Sequence, residues 1–378
     1  MIVSARLTAG HRMVLDSILR QGPSSRAEIA ARTLFTRPAI TQMVQDLMEM
    51  GLVVEQAARR GQRGQPARPI VLNGLAGFAV GVNFSLTYLE IAVVDLAGAV
   101  LGTHQAPLGD HAPEAIAATV KEHLSHLLPV LGLDIGRMVG MGISLPSDFH
   151  ADGSLATHPA FPNLSGGNLE RRFGGDLAIP IFLENDGRAC AIGERVVGAG
   201  RSHETFMLVH LGHGIGGGLI IDGKPYRGAL GNAGILGQFY PYGEARPSGL
   251  DLLETLRAAG HAIADFDALA DLPRRARPVL DAWIQRATEQ LTGVLFQVSR
   301  FFGPEVVILA GRLPPEIIAA LAERIDFEAV RPPLDELPSV PVLASRQGSL
   351  AGAIGAASVP IFNLLLPAGR RPKESSPA

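Results

Sequence analysis

The sequence predicts a mixed α/β chain: a short helical module with a basic hairpin, then a two-lobed α/β body with a cleft between its lobes. Three observations predict this. Charge is split, with ten Arg, no Lys and five acids in residues 1–73, a net of +5, against a net of −8 in the remainder. Apolar residues in the first fifty positions recur at helical period between Gly, Pro, Ser and Thr breaks. From Gly77 onward, paired strand patterns joined by tight turns alternate with helical stretches, and the set occurs twice.

The first helix is predicted over 11–21, with Met13, Val14, Ile18 and Leu19 on its apolar face and Gly22-Pro23 as its stop. Ser25 and Glu28 have capping-box spacing, so each side chain can satisfy a free amide at the start of a second helix. In the third helix Thr36 fits the N-cap, Pro38 the first turn and Gly51 the C-terminal stop. Its buried stripe is Ile40, Val44, Leu47 and Met48, and its other face carries Arg37, Thr41, Gln42 and Gln45. Strands over 52–55 and 69–72 flank "QAARRGQRGQPAR".

Three helices and a basic hairpin make a winged helix-turn-helix over 1–73, whose third helix enters the DNA major groove. Gln42 and Gln45 suit adenine edges, Arg37 suits guanine or phosphate, and Thr41 lies beside them. Arg59, Arg60, Arg63 and Arg68, around Gly61 and Gly64, suit phosphates or a minor groove. The expected partner is a double-stranded operator. Paired half-sites then imply a homodimer or a larger even assembly.

In the body, helices are expected over 113–131, from about 186, over 249–260 and over 277–302. Strands are expected at "MVGMGISLP", "IPIFLEN", "TFMLVHL", "IGGGLII" and "EVVILAG". The division expected is 74–195 for the first lobe, completed by about 345–366, and 196–344 for the second, with 367–378 a disordered tail. The apolar "AGAIGAASVPIFNLLLP" is interrupted by Ser358, Pro360 and Asn363, which fits a closely packed core helix better than a membrane span. A single cysteine, Cys190, permits neither an intrachain disulfide nor a cysteine zinc site, and no signal-peptide pattern opens the chain. A cytoplasmic protein with no membrane partner is expected.

The segments "FPNLSGGNLERRFGGDLAIPIFLENDGRACAIGE" and "GHGIGGGLIIDGKPYRGALGNAG", behind a winged helix-turn-helix, resemble the ROK family of repressors, open reading frames and kinases. The resemblance implies an actin/hexokinase-like, that is ribonuclease H-like, body. It also implies a choice between ATP-dependent sugar kinase and sugar-sensing repressor. Asp186 in "LENDG" is similar to the kinase base, and with Asn185 beside it and Asn163 in "PNL" it resembles the sugar-facing set, so part of a polyol pocket is expected to remain, with Gln238 as a further ligand-binding candidate. An alternative reading has Asp186 capping the helix that follows it.

The nucleotide side departs from the family pattern. In "GVNFSLTYLE", Asn83 stands for the acid and Ser85 and Leu86 for the glycines of the first phosphate loop, so both charge and backbone access are lost. "LGHGIGGG" keeps its glycines but has His213 where the kinases carry Thr, and Ala310-Gly311 replaces a glycine pair. These glycines are expected to serve a tight hairpin and lobe closure. Ile235 stands for a sugar-binding Glu, Gln238 for a His, and "EARPSGLDLLE" lacks the cysteines of the family zinc motif. The expectation is therefore a DNA-binding regulator, a repressor, with a non-catalytic sensing and dimerisation body, a sugar or sugar-derivative effector, and no cofactor or metal. Two rivals are an active sugar kinase and a ligand-independent regulator governed by a protein partner.

Overall fold

A computed structural model of the chain describes residues 6–56, 68–150, 154–156, 161–164, 167–175, 177–241 and 243–367. The N-terminal module contains α1 (Ala9–Gln21), α2 (Arg26–Arg32), α3 (Arg37–Glu49) and the antiparallel strands β1 (Val53–Glu55) and β2 (Ile70–Leu72). Local chemistry sets its helix starts. Thr8 and His11 exchange bonds across the first turn of α1, Ser25 and Glu28 do the same for α2, and Thr36 accepts from the Ala39 amide at 3.4 Å in α3. Ile40, Val44 and Leu47 are fully buried, whereas Met48 is only half-buried. Arg59, Arg60 and Arg63 lie outside the described residues, as do residues 368–378 of the expected tail.

Among the described residues the remaining strands form two five-stranded sheets. The first uses β3 (Phe78–Phe84), β4 (Tyr88–Asp95), β5 (Val100–Pro107), β6 (Met138–Leu145) and β7 (Ile181–Asn185), in the order β5-β4-β3-β6-β7. The second uses β8 (Phe206–Leu211), β9 (Ile215–Ile221), β10 (Lys224–Pro225), β11 (Val306–Gly311) and β12 (Val342–Ala344), in the order β10-β9-β8-β11-β12. In both sheets three antiparallel strands are followed by two parallel ones. The two halves thus share one topology, although their sequence spacings differ.

Helices α4 (Pro113–Val130) and α5 (Leu169–Gly174) cover one face of the first sheet. On its other face lie α6 (Asp186–Val196) and α10 (Ala351–Leu365). Helices α7 (Gly249–Ala258), α8 (Arg277–Phe302) and α9 (Pro315–Arg324) build the core of the second lobe around the buried Trp283. Glycines of β3 and β6 let the α10 backbone press on the sheet. A Cβ at Gly81 would lie 2.0 Å from the Ala353 carbonyl oxygen, and one at Gly142 would lie 1.9 Å from that of Ala356. Stretch 348–365 is long and apolar enough to cross a membrane, but 72% of it is buried within this fold.

The first-lobe core continues without interruption into the N-terminal module. Val14, Leu15, Ile18 and Ile40 belong to the same apolar cluster as Ile354, Phe362 and Leu365 of α10. The Arg12 guanidinium donates to the carbonyl oxygens of Asn363, Leu364 and Leu366, satisfying acceptors that the end of α10 leaves open.

Candidate functional site

A cavity of about 900 Å³ opens between the two sheets. Its volume falls in the roughly 300–1,000 Å³ range of small-molecule sites. β7 ends at Asn185 and α6 begins at Asp186, so both residues reach the cavity from a strand-to-helix junction. The cap of α6 is Asn185, not Asp186. Its Oδ1 accepts from the Arg188 amide at 3.2 Å, and its Nδ2 donates to the Ser147 carbonyl at 3.2 Å and to Asp148 Oδ1 at 3.4 Å. Asp186 is the first helical residue. Its Oδ1 accepts from the Gly187 amide at 2.7 Å, and its Oδ2 lies 3.7 Å from His210 Nδ1. A carboxylate in the first turn also benefits from the helix dipole.

The glycines of the 211–218 hairpin make this junction possible. A Cβ at Gly187 would lie 2.6 Å from the Gly217 amide nitrogen, and one at Gly218 would lie 2.7 Å from the Gly187 carbonyl oxygen. Backbone therefore packs on backbone where α6 starts. Gln238 and Ile235 line the same cavity, and Gln238 is exposed. Asn163 does not join them. It sits exposed on the turn Pro162–Leu164, beside Phe161, which does line the cavity.

Sequence reasoning missed the other wall. Arg312 follows β11 and crosses to the first sheet, where its guanidinium meets Glu90 of β4 and lies 3.4 Å from the Tyr88 ring centroid. Asn83 Nδ2 donates to the other Glu90 oxygen at 2.9 Å, and Arg312 also reaches Asp267 at 3.3 Å. Burial raises the Glu90 carboxyl above the usual carboxylate range, against the pull of Arg312. It also pushes the Tyr88 hydroxyl up to about 12. Burial, then Arg312, hold the His213 imidazole below its ordinary value. The corner between the first glycine-poor loop and the Ala310-Gly311 turn is thus filled by the chain's own ion pair. Leu86 stands at its edge, 43% exposed. No local signal marks Arg312 and Glu90, which are 222 positions apart.

The N-terminal module presents a second surface. Arg37, Thr41, Gln42 and Gln45 form an exposed row on α3. The Thr41 hydroxyl donates to the Arg37 carbonyl at 3.0 Å, Gln42 Nε2 to Asp46 at 2.8 Å, and Gln45 Nε2 to Glu49 at 3.1 Å. Arg68 is exposed and lies 3.8 Å from Glu55, a contact too loose to hold it. Among the described residues no group of three or more His, Cys, Asp or Glu could hold a metal ion.

A winged helix-turn-helix on a sugar-kinase-like body with an interlobe cleft defines a DNA-binding transcriptional regulator. The chain belongs to the ROK family, whose model matches residues 79–361, and the MarR family model matches residues 7–64. It is 36% identical to "Uncharacterized protein y4fQ" of Sinorhizobium fredii over all of both chains. It is 27% identical to the xylose repressor of Bacillus subtilis over 60% of this chain and 59% of that one. A solved "ROK family transcriptional regulator, homolog of E.coli MLC protein" matches with a TM-score of 0.68 at 22% identity, over 94% of this chain and 96% of that one. That last likeness concerns the fold alone.

Proposed function

We propose that the chain is an operator-binding repressor with α3 in the major groove, and that its body senses a small polyol or sugar derivative without phosphorylating it. The exposed row Arg37, Thr41, Gln42 and Gln45, on a module whose core continues into the body, carries this reading. Arg68, with Arg59, Arg60 and Arg63 of the wing, supplies phosphate contacts. In the cleft, Asn185, Asp186 and Gln238 form the polar side of the effector site and Ile235 the apolar side. The xylose-repressor likeness supports a sugar-derived effector. The proposed division is 1–73 for DNA, 74–195 with 345–366 for the first lobe, and 196–344 for the second. The chain works in the cytoplasm as a homodimer or larger even assembly, since an operator with paired half-sites needs two modules.

Absence of phosphoryl transfer is supported by Asn83, Ser85 and Leu86 in the phosphate loop and by the Arg312–Glu90 pair beside it. Selection of duplexes from a random library, followed by binding at graded salt, tests the DNA reading. Replacing Arg60 and Arg63 together by Ala should weaken binding to all sequences and lower the salt slope by about two phosphate contacts. Binding indifferent to salt would refute it.

A further inference from the structure

The two glutamines on α3 are not held alike. Gln42 Nε2 donates to Asp46 Oδ1 at 2.8 Å, and Asp46 Oδ2 takes a second bond, at 3.2 Å, from Nε2 of His11 on α1. His11 is 7% exposed. Its Nδ1 accepts from the Thr8 amide at 3.2 Å, so the ring proton sits on Nε2 and points at Asp46. A neutral imidazole is enough for this arrangement. The chain Thr8–His11–Asp46–Gln42 therefore runs from the cap of one helix to the exposed face of another. Gln45 has a partner in Glu49 at 3.1 Å, but Glu49 is exposed, and among the described residues no hydrogen bond anchors it in turn.

We infer that Asp46, clamped by His11, is a positioning residue that makes Gln42 the sharp reader of α3, while Gln45 is an adaptable one. The inference rests on the proposed placement of α3 in the major groove. One Nε2 hydrogen of Gln42 is committed to Asp46. What remains is one N–H and the carbonyl oxygen, the donor and acceptor that adenine's N7 and N6 amine require. Fixing the amide beforehand removes rotamer freedom that binding would otherwise have to remove. Asp46 also places a negative charge beside the phosphates, which lowers affinity for every duplex alike. A charge that opposes binding in general and orients one reader raises the ratio of specific to non-specific affinity. Gln42 and Gln45 are ordinary partners for acids four positions on, so only the buried second anchor separates the two cases.

The full-length protein is the material for the test, with random duplex libraries read by sequencing. Gln42→Ala first identifies the base pair that Gln42 reads, where a bidentate contact discriminates by roughly 5–150-fold. Asp46→Ala should flatten preference at that same pair by at least fivefold and leave affinity for random duplex unchanged or higher. Glu49→Ala should leave preference at the Gln45 position within about twofold. Asp46→Ser, whose short hydroxyl reaches neither partner, gives the same result if the alanine variant melts early. If Gln42→Ala moves preference and Asp46→Ala and Asp46→Ser do not, the positioning role fails while the groove placement stands. If Gln42→Ala moves nothing, the placement fails and the inference with it. Uniform loss of binding by both Asp46 variants at an unchanged melting temperature also overturns it.

Discussion

Arg195 and Asp16 join the helix at the floor of the cleft to the first helix of the DNA-binding module. Arg195 stands at the far end of α6 from Asp186, with its side chain 1% exposed. Arg201 beside it donates to the Leu19 carbonyl, and Arg20 returns a bond to the Arg201 carbonyl at 3.2 Å and pairs with Glu204. A shift of α6 in the cleft is therefore a shift under α1. Burial acts against both partners, raising the Asp16 carboxyl and lowering the Arg195 guanidinium, with their mutual attraction opposing. An ion pair of this kind specifies a geometry more than it stabilises one.

The consequence is a non-additive pair. Arg195→Met alone should cost about 1–3 kcal/mol of unfolding free energy, because the half-buried Asp16 loses its main partner. Arg195→Met with Asp16→Leu should recover most of that loss. Denaturant titration of the two single variants and the double gives the coupling. Costs that simply add would show that the pair does not set the docking of α1.

Phosphoryl transfer should be undetectable in an ATP-coupled assay across hexoses, amino sugars and pentoses. Such chemistry depends on positioning and charge around the phosphates. Here Asn83 is turned onto Glu90, and Arg312 occupies the adjoining corner. With Asn83 carrying no charge and Ser85 and Leu86 carrying side chains at this loop, the rate should fall by several powers of ten, on the order of 4 kcal/mol or more of barrier. Turnover abolished by Asp186→Asn would overturn the prediction.

Features set within one turn of helix were legible in the sequence. The Ser25–Glu28 box and the Thr36 cap follow from residues three positions apart, and the start of α4 follows from Pro113 at its first position. The helix from Asp186 begins where expected, and the alternative that Asp186 caps it does not hold, since Asn185 is the cap and only backbone conformation separates these two candidates. The cleft's long-range partners had no such signal. His210 reaches Asp186 because β8 runs beside the start of α6, and Arg312 reaches Glu90 because the end of β11 and the start of β4 border one cavity. Asn163 lies outside the cavity although its motif is the expected one, because the turn at Pro162–Leu164 exposes it. Met48 follows a buried helical stripe but lies at its rim.

The Glu194 carboxyl gives a pH prediction. Burial raises it above the ordinary carboxylate range, and the Ser345 hydroxyl and the Ala199 amide, at 2.7 Å in the latter case, offset this only in part. A carboxyl whose folded pKa exceeds its unfolded one contributes nothing below both values, where it is protonated in either state. It destabilises the fold as pH rises through the folded value. Glu194→Gln removes the charge, keeps a carbonyl oxygen for the Ala199 amide, and turns an NH2 toward the Ser345 hydroxyl, which can rotate to accept from it. Melting temperatures of wild type and variant should converge near pH 4 and separate in favour of the variant by pH 8. A difference that does not change with pH would show that the folded Glu194 carboxyl is not raised above its unfolded value.

Occupancy of the cleft should change operator affinity, and the operator should change effector affinity by the same factor. Asp186 and Asn185 open α6, and Arg195 near its other end is pinned to α1, so one rigid element meets both sites. A ligand shifts the DNA module only if it prefers one lobe arrangement to another. The Arg312–Glu90 bridge defines the arrangement that such a ligand must favour or break. Typical coupling of about 1–3 kcal/mol corresponds to a change of roughly 5–150-fold. With the apolar Ile235 in the lining, a deoxy, acylated or otherwise less hydroxylated sugar is the expected ligand. A thermal-shift screen of sugars, sugar phosphates and nucleotides supplies the candidate. Its affinity is then measured for wild type and Asp186→Ala, each with and without the duplex recovered by selection. Equal binding to both proteins would place the ligand outside this site. An affinity that the duplex leaves unchanged would remove the ligand as an effector, and control by a protein partner would then account better for the cleft.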